Sequence, residues 1–172
     1  ANTFFKDGGY YTNATSPLAL ITYAEAMFIK AEAAFLANGG NETSVGANIT
    51  AYEAYMEGIT ASMEKLSADG SDYMADSAVD VGVNNLMLNH IMKEKYIANY
   101  LNVETYNDFR RYNFSSDVFK DLALRLEGEG DDSEYTGLWY RRAVYPDSEQ
   151  NSNEDVVNAN WQEPTVDVWW AE

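Results

Sequence analysis

The chain has 172 residues, enough for one domain around one sizeable core. A formal net charge of −17 and a pI of about 4.2 set its surface against phosphate backbones and anionic headgroups, so nucleic acid is not an expected partner. The absence of cysteine excludes a disulfide framework, a Cys-based zinc site and a thiol nucleophile.

Hydrophobic content is 46% and aromatic content 14%, with 13 Tyr and 4 Trp, which fits a folded domain rather than a disordered one. No apolar run approaches the roughly 18 residues of a transmembrane helix. No signal peptide is visible, and the start "ANTFFKDGGYY" reads as that of an internal fragment.

Residues 1–15 read as a polar loop. In "SPLALITYAEAMFIKAEAAFLANGG", Ser16 is a natural N-cap, Pro17 suits the first helical position, and Asn38-Gly39-Gly40 is a stop. Leu20, Ala24, Met27, Phe28, Ala31 and Phe35 form one apolar stripe at spacings of three and four. Such a helix would be roughly 33 Å long. A second helix is expected over about 45–67, with Tyr52, Tyr55, Met56, Ile59, Met63 and Leu66 as its stripe. The short Gly/Asn-rich connection makes the pair antiparallel, and the small Ala33, Ala34 and Ala51 beside Phe35 and Tyr55 resemble a tetratricopeptide-type hairpin.

Residues 68–83 read as an Asp/Gly-rich loop. A third helix is expected over about 84–101, on a stripe that includes Leu86, His90, Ile91, Glu94, Ala98 and Leu101, and a short one over about 104–112. Residues 117–127 read as a further helical turn or two. "GEGDDSEYTG" reads as an exposed acidic loop, and "LWYRRAVYP" as an extended segment ended by Pro146. The tail is expected to be polar and irregular, with Trp169-Trp170 docked on the helical body, because an exposed Trp pair is costly.

Catalytic patterns are poor. His90 is the single histidine, sits in mid-helix, and is expected to be structural; neither a nucleophilic triad nor a transition-metal site is expected. With 28 acidic residues, pairs of carboxylates at a glycosidase spacing arise by chance, so no catalytic residue is assigned. Asp69, Asp72, Asp76 and Asp80 do not have EF-hand spacing, and a solvated loop is expected there. Asn-x-Ser/Thr sequons at Asn13, Asn41, Asn48 and Asn113 carry little weight in a chain this rich in Asn, Thr and Ser.

Four of the five arginines lie in two pairs, Arg110-Arg111 and Arg141-Arg142. The first pair closes a short helix, where cations offset the dipole and can form bidentate pairs with carboxylates. Aromatic pairs on loops beside glycines, Tyr10-Tyr11 and Trp139-Tyr140, suit stacking on sugar rings, with nearby Asn and Asp to meet hydroxyls. The ligand-binding residues expected on this ground are Tyr10, Tyr11 and Trp139. The competing reading is that each ring covers a core edge.

The order of motifs resembles the C-terminal part of the SusD/RagB family of glycan-binding outer-membrane lipoproteins of Bacteroidetes. "ITYAEAMFIKAEAAF", "AYEAYMEGITASMEKL", "IMKEKYIANYLNVETYNDFRRYNF" and "YRRAVYPDSEQNSNEDVVNA" follow the family's segments in order, and the closing "WW" also fits. The resemblance covers about residues 17–170. It implies a mainly α fold: a tetratricopeptide-like hairpin plus further helices, long irregular loops and little β. It implies that residues 1–172 are the C-terminal part of a longer helical domain, without the N-terminal half or the lipid anchor.

It also implies non-catalytic binding of a polysaccharide or oligosaccharide at the outer-membrane surface, beside a TonB-dependent, SusC-like transporter. Contact with the membrane would be only through the anchor, and no cofactor is implied. The alternative is a helical-repeat scaffold for a protein partner, without sugar binding.

Overall fold

The computed structural model describes residues 8–124 and 135–169. Among them lie seven α-helices and no strand: α1 Tyr23–Ala37, α2 Ile49–Lys65, α3 Ser71–Met74, α4 Leu88–Ala98, α5 Glu104–Arg111, α6 Asp147–Ser152 and α7 Glu154–Asn160. The mainly α expectation is met. The chain divides into two compact units. The first holds the described residues through Thr105 together with Asp117–Phe119. The second holds Tyr106–Ser116 and the described residues from Lys120 onward.

In the first unit, α1 and α2 form the most extensive helix pair and α4 packs on both. The hairpin is antiparallel. Asn48 Nδ2, at the start of α2, donates to Ala34 O at the end of α1 (3.2 Å), while Phe28 reaches Gly58 further along. The same Asn48 caps α2 by accepting from Ala51 N at 2.8 Å. The core takes Ala24, Phe28, Ala31 and Phe35 from α1 and Ala51, Ala54, Tyr55 and Ile59 from α2. From the third segment it takes Leu86, Leu88, Ile91 and Met92.

Four charged side chains, Glu25, Glu32, Glu94 and Lys95, are buried in this unit as well. Lys95 Nζ lies 4.0 Å from Glu32 Oε2, joining α4 to α1. Tyr73 Oη donates to both carboxylate oxygens of Glu94, at 2.8 and 3.0 Å, tying the 68–83 segment to α4.

In the second unit, Trp139 stacks on Phe114 with centroids 4.8 Å apart and planes at 10°. Arg141 Nη1 donates to Asp167 Oδ1 at 2.7 Å and also to Asn113 Oδ1. The backbone N–H groups of Arg141 and Arg142 both reach Pro164 O. Arg142 Nε donates to Val166 O at 2.9 Å. This arginine pair therefore clamps 164–167.

Several expected elements are corrected. Helix α1 begins at Tyr23, not at Pro17. Its N-cap is Thr22, whose hydroxyl accepts from Glu25 N at 3.1 Å, while the Ser16 hydroxyl is engaged with Tyr10 O. Residues 17–21 are therefore non-helical, and Leu20 of the expected stripe is 90% exposed.

The second helix starts at Ile49 rather than near 45. The third is split into a 3-10 turn, Val83–Asn85, and α4. It stops at Ala98, and Leu101 turns into the left-handed region at φ 64°.

Residues 117–121 form turns, not helix, and 125–127 lie outside the described residues. The acidic loop has only residues 135–137 among them. The tail is less irregular than expected. Pro146 does close the extended segment, but it caps α6, and α7 follows. Of the Trp pair, expected to be covered, Trp169 is 81% exposed, and Trp170 lies outside the described residues.

Candidate functional site

Tyr10 and Tyr11 sit in the loop preceding α1, which turns at Gly9: Thr12 N and Asn13 N both donate to Gly9 O. Their rings meet edge to face at 4.9 Å, and Tyr11 meets Tyr100 in the same way at 5.8 Å. Tyr100 is available because α4 ends at Ala98. Asn99 N closes the helix onto Lys95 O, and the chain then folds back through Asn102 N to Asn99 O.

This ring cluster borders two grooves. One, of about 350 Å³, lies between the loop residues 16–22 and the chain after α4, with Tyr10, Tyr11, Tyr100 and Leu101 on its walls. The other, of about 370 Å³, is lined by hydroxyl and amide groups of Asn13, Thr15, Ser16 and Ser67. Tyr10, Ser16, Pro17 and Lys65 belong to both.

Lys65 ends α2. Its ammonium donates to Ala98 O at 2.8 Å, satisfying a carbonyl at the end of α4, and lies 5.8 Å from the Tyr10 ring centroid. Burial pushes the Lys65 ammonium below the usual lysine range, and the negative charge of Glu25 partly opposes this. Burial, then the neighbouring Tyr10 and Tyr100, pushes the Tyr11 phenol up.

The expected site residues thus divide. Tyr10 and Tyr11 are together on one groove of the first unit. Trp139 belongs to the second unit, half-buried, with a ring face against Phe114. Tyr100 and Lys65 escaped sequence reasoning. Tyr100 falls inside the helix that periodicity predicts over 84–101, whereas α4 ends at Ala98, and Lys65 reads as an ordinary C-terminal cation.

Other candidates are occupied structurally. His90 Nδ1 accepts from Met87 N at 3.1 Å at the start of α4. Arg111 Nη2 donates to Asp108 Oδ1 at 2.7 Å within α5. Asp69 accepts from Ser71 N and Asp76 from Ala78 N, both local turns, while Asp80 accepts from Tyr52 Oη. Among the described residues no three Asp, Glu or His side chains gather where an ion could be held, and no helix is long and apolar enough to cross a membrane.

A family model, SusD-like, described as "starch-binding associating with outer membrane", matches residues 2–154 of the chain. No curated protein matches it.

Proposed function

The chain belongs to the SusD-like family of starch-binding, outer-membrane-associated proteins, and from that premise we propose that it holds glycan at the cell surface without turning it over. A lipid anchor tethers the protein, and a TonB-dependent, SusC-like transporter receives the ligand. Sugar is held by ring stacking on Tyr10 and Tyr11 in the first unit, with hydrogen bonds from neighbouring amides and hydroxyls, and Trp139 offers a separate stacking face in the second unit.

The observation that carries this reading is the Tyr10–Tyr11–Tyr100 cluster on the border of an open groove. Flat rings of this kind offer apolar faces to pyranose C–H bonds while their hydroxyls remain wet.

Calorimetric titration against a panel of soluble polysaccharides, with starch oligosaccharides first, tests it. Binding is expected, and it is expected to weaken when Tyr10, Tyr11 and Trp139 are all replaced by alanine. Full affinity in the triple variant removes these three as contacts. Silence across the panel favours the second reading, a scaffold for a protein partner. That reading has its own support in the aliphatic side chains beside the groove, Leu18 and Leu20 at 90% exposure and Val103 at 80%.

A further inference from the structure

The two grooves that meet at Lys65 share an unusual composition. The chain carries 28 acidic residues against 11 basic ones, yet neither Asp nor Glu is among the residues lining either groove. The charge present is a lysine, and Lys65 forms no ion pair among the described residues. Elsewhere in this unit a buried lysine is paired with a carboxylate, as Lys95 is with Glu32, whereas the buried Glu25 acts on Lys65 only through space, without an ion pair. At Lys65 one of three ammonium donors goes to Ala98 O, and the Tyr10 ring stands nearby.

A second polar group is left unmatched beside it. Asn99 is 3% exposed and lines the first groove, and its side-chain Nδ2 has no hydrogen-bond partner among the described residues. The first groove supplies ring faces and the second supplies hydroxyls and amides.

We propose that the two grooves form one site for an acidic sugar, its carboxylate or sulfate seated on Lys65 Nζ and its ring face against Tyr10 and Tyr11. This rests on the glycan-binding reading above and narrows its ligand class away from neutral glucan. The net charge of −17 opposes any anion at long range. That repulsion is screened within about 8 Å at physiological salt, whereas a half-buried contact is screened far less. Burial also raises the value of the contact, because Lys65 is already partly stripped of water in the free protein. The site therefore suits a single anionic substituent better than a densely charged polymer.

The test uses matched pairs: a uronic-acid oligosaccharide with its carboxyl-reduced counterpart, and a sulfated oligosaccharide with its unsulfated form. The starch oligosaccharides serve as a reference. The acidic member of at least one pair is expected to bind about tenfold more tightly, as a charged hydrogen bond would provide. Which pair responds distinguishes carboxylate from sulfate. Lys65→Met is expected to bring the ratio to about one, and Lys65→Arg to keep most of it. Lys65→Gln, which retains a donor for Ala98 O without charge, serves where the methionine variant does not fold.

Equal affinities within both pairs, or a preference that survives loss of the charge, overturn the inference and leave the glycan reading standing. Binding of starch oligosaccharides with neither acidic ligand does the same. No binding of any sugar overturns the glycan reading and the inference with it.

Discussion

A Cβ built on Gly58 of α2 would lie 2.9 Å from Cζ of Phe28 on α1, so the Phe28 ring packs directly over the glycine backbone. Phe28 is fully buried and has nowhere to retreat. Gly58→Ala is expected to destabilise the chain. The helix gains about 1 kcal/mol in propensity, but overpacking costs about 1–3 kcal/mol. Phe28→Leu in the same background is expected to recover part of the loss. A denaturation midpoint that does not fall in the single variant would refute close packing at this point.

Glu32 and Lys95 form a second tie between α1 and α4, and their side chains are 6% and 5% exposed. Lys95→Met leaves a carboxylate buried without this cation, at a cost of about 3–5 kcal/mol. Replacing both, Glu32→Leu with Lys95→Met, is expected to be much less damaging than the single changes predict by addition. Additive losses in a double-mutant cycle would mean that the two do not act as a pair.

The start of α1 marks where the sequence could be read and where it could not. The stripe through Ala24, Phe28, Ala31 and Phe35 was legible because its period is that of a helix, and all four are buried. The cap was not, because Ser16-Pro17 and Thr22 are both sound start signals and only the tertiary partners choose between them. Thr22→Ala is expected to cost about 1 kcal/mol and to speed amide exchange in the first turn of α1. Ser16→Ala is expected to leave that exchange unchanged. The reverse pattern would restore the longer helix.

The same limit applied to the site. Tyr10 and Tyr11 could be picked out as rings on a glycine-rich loop. Their neighbours Tyr100 and Lys65 could not, since one depends on where α4 stops and the other on which chain segment crosses the end of α2. Glu25, Glu32 and Glu94 also lie on faces that periodicity assigns to the core, and no pattern in a single sequence says which carboxylates will be buried.

Glu94 gives stability a pH dependence whose sign can be worked out. Burial raises its carboxyl above the ordinary value of 4.5, against the opposing effects of the Tyr73 hydrogen bond and Lys93. The folded state then holds a proton that the unfolded state has released. Between the ordinary value and the raised one, stability from this group is greatest at the acidic end and is lost as pH rises through the folded pKa. Glu94→Gln, which keeps an acceptor for Tyr73, removes that slope. The difference in melting temperature, variant minus wild type, is expected to grow from pH 4 to pH 7. A constant difference would place Glu94 in a solvated setting. The difference also cancels the general relief of repulsion that acid brings to a chain of charge −17.

The three aromatic residues proposed for the ligand make separate predictions, because their present contacts differ. Tyr11 is held edge-on between Tyr10 and Tyr100, and all three rings remain partly open to solvent. Tyr10→Ala and Tyr11→Ala are each expected to weaken glycan binding about fivefold or more, as an aromatic contact worth over 1 kcal/mol would, with a small change in melting temperature. Trp139 already has a partner, Phe114, stacked at 4.8 Å. Trp139→Ala is expected to lower stability by about 3 kcal/mol at most, since the ring is half-buried, and a binding role requires affinity to fall as well. Loss of stability with affinity intact would make Trp139 a packing residue and confine the aromatic contacts to the loop before α1.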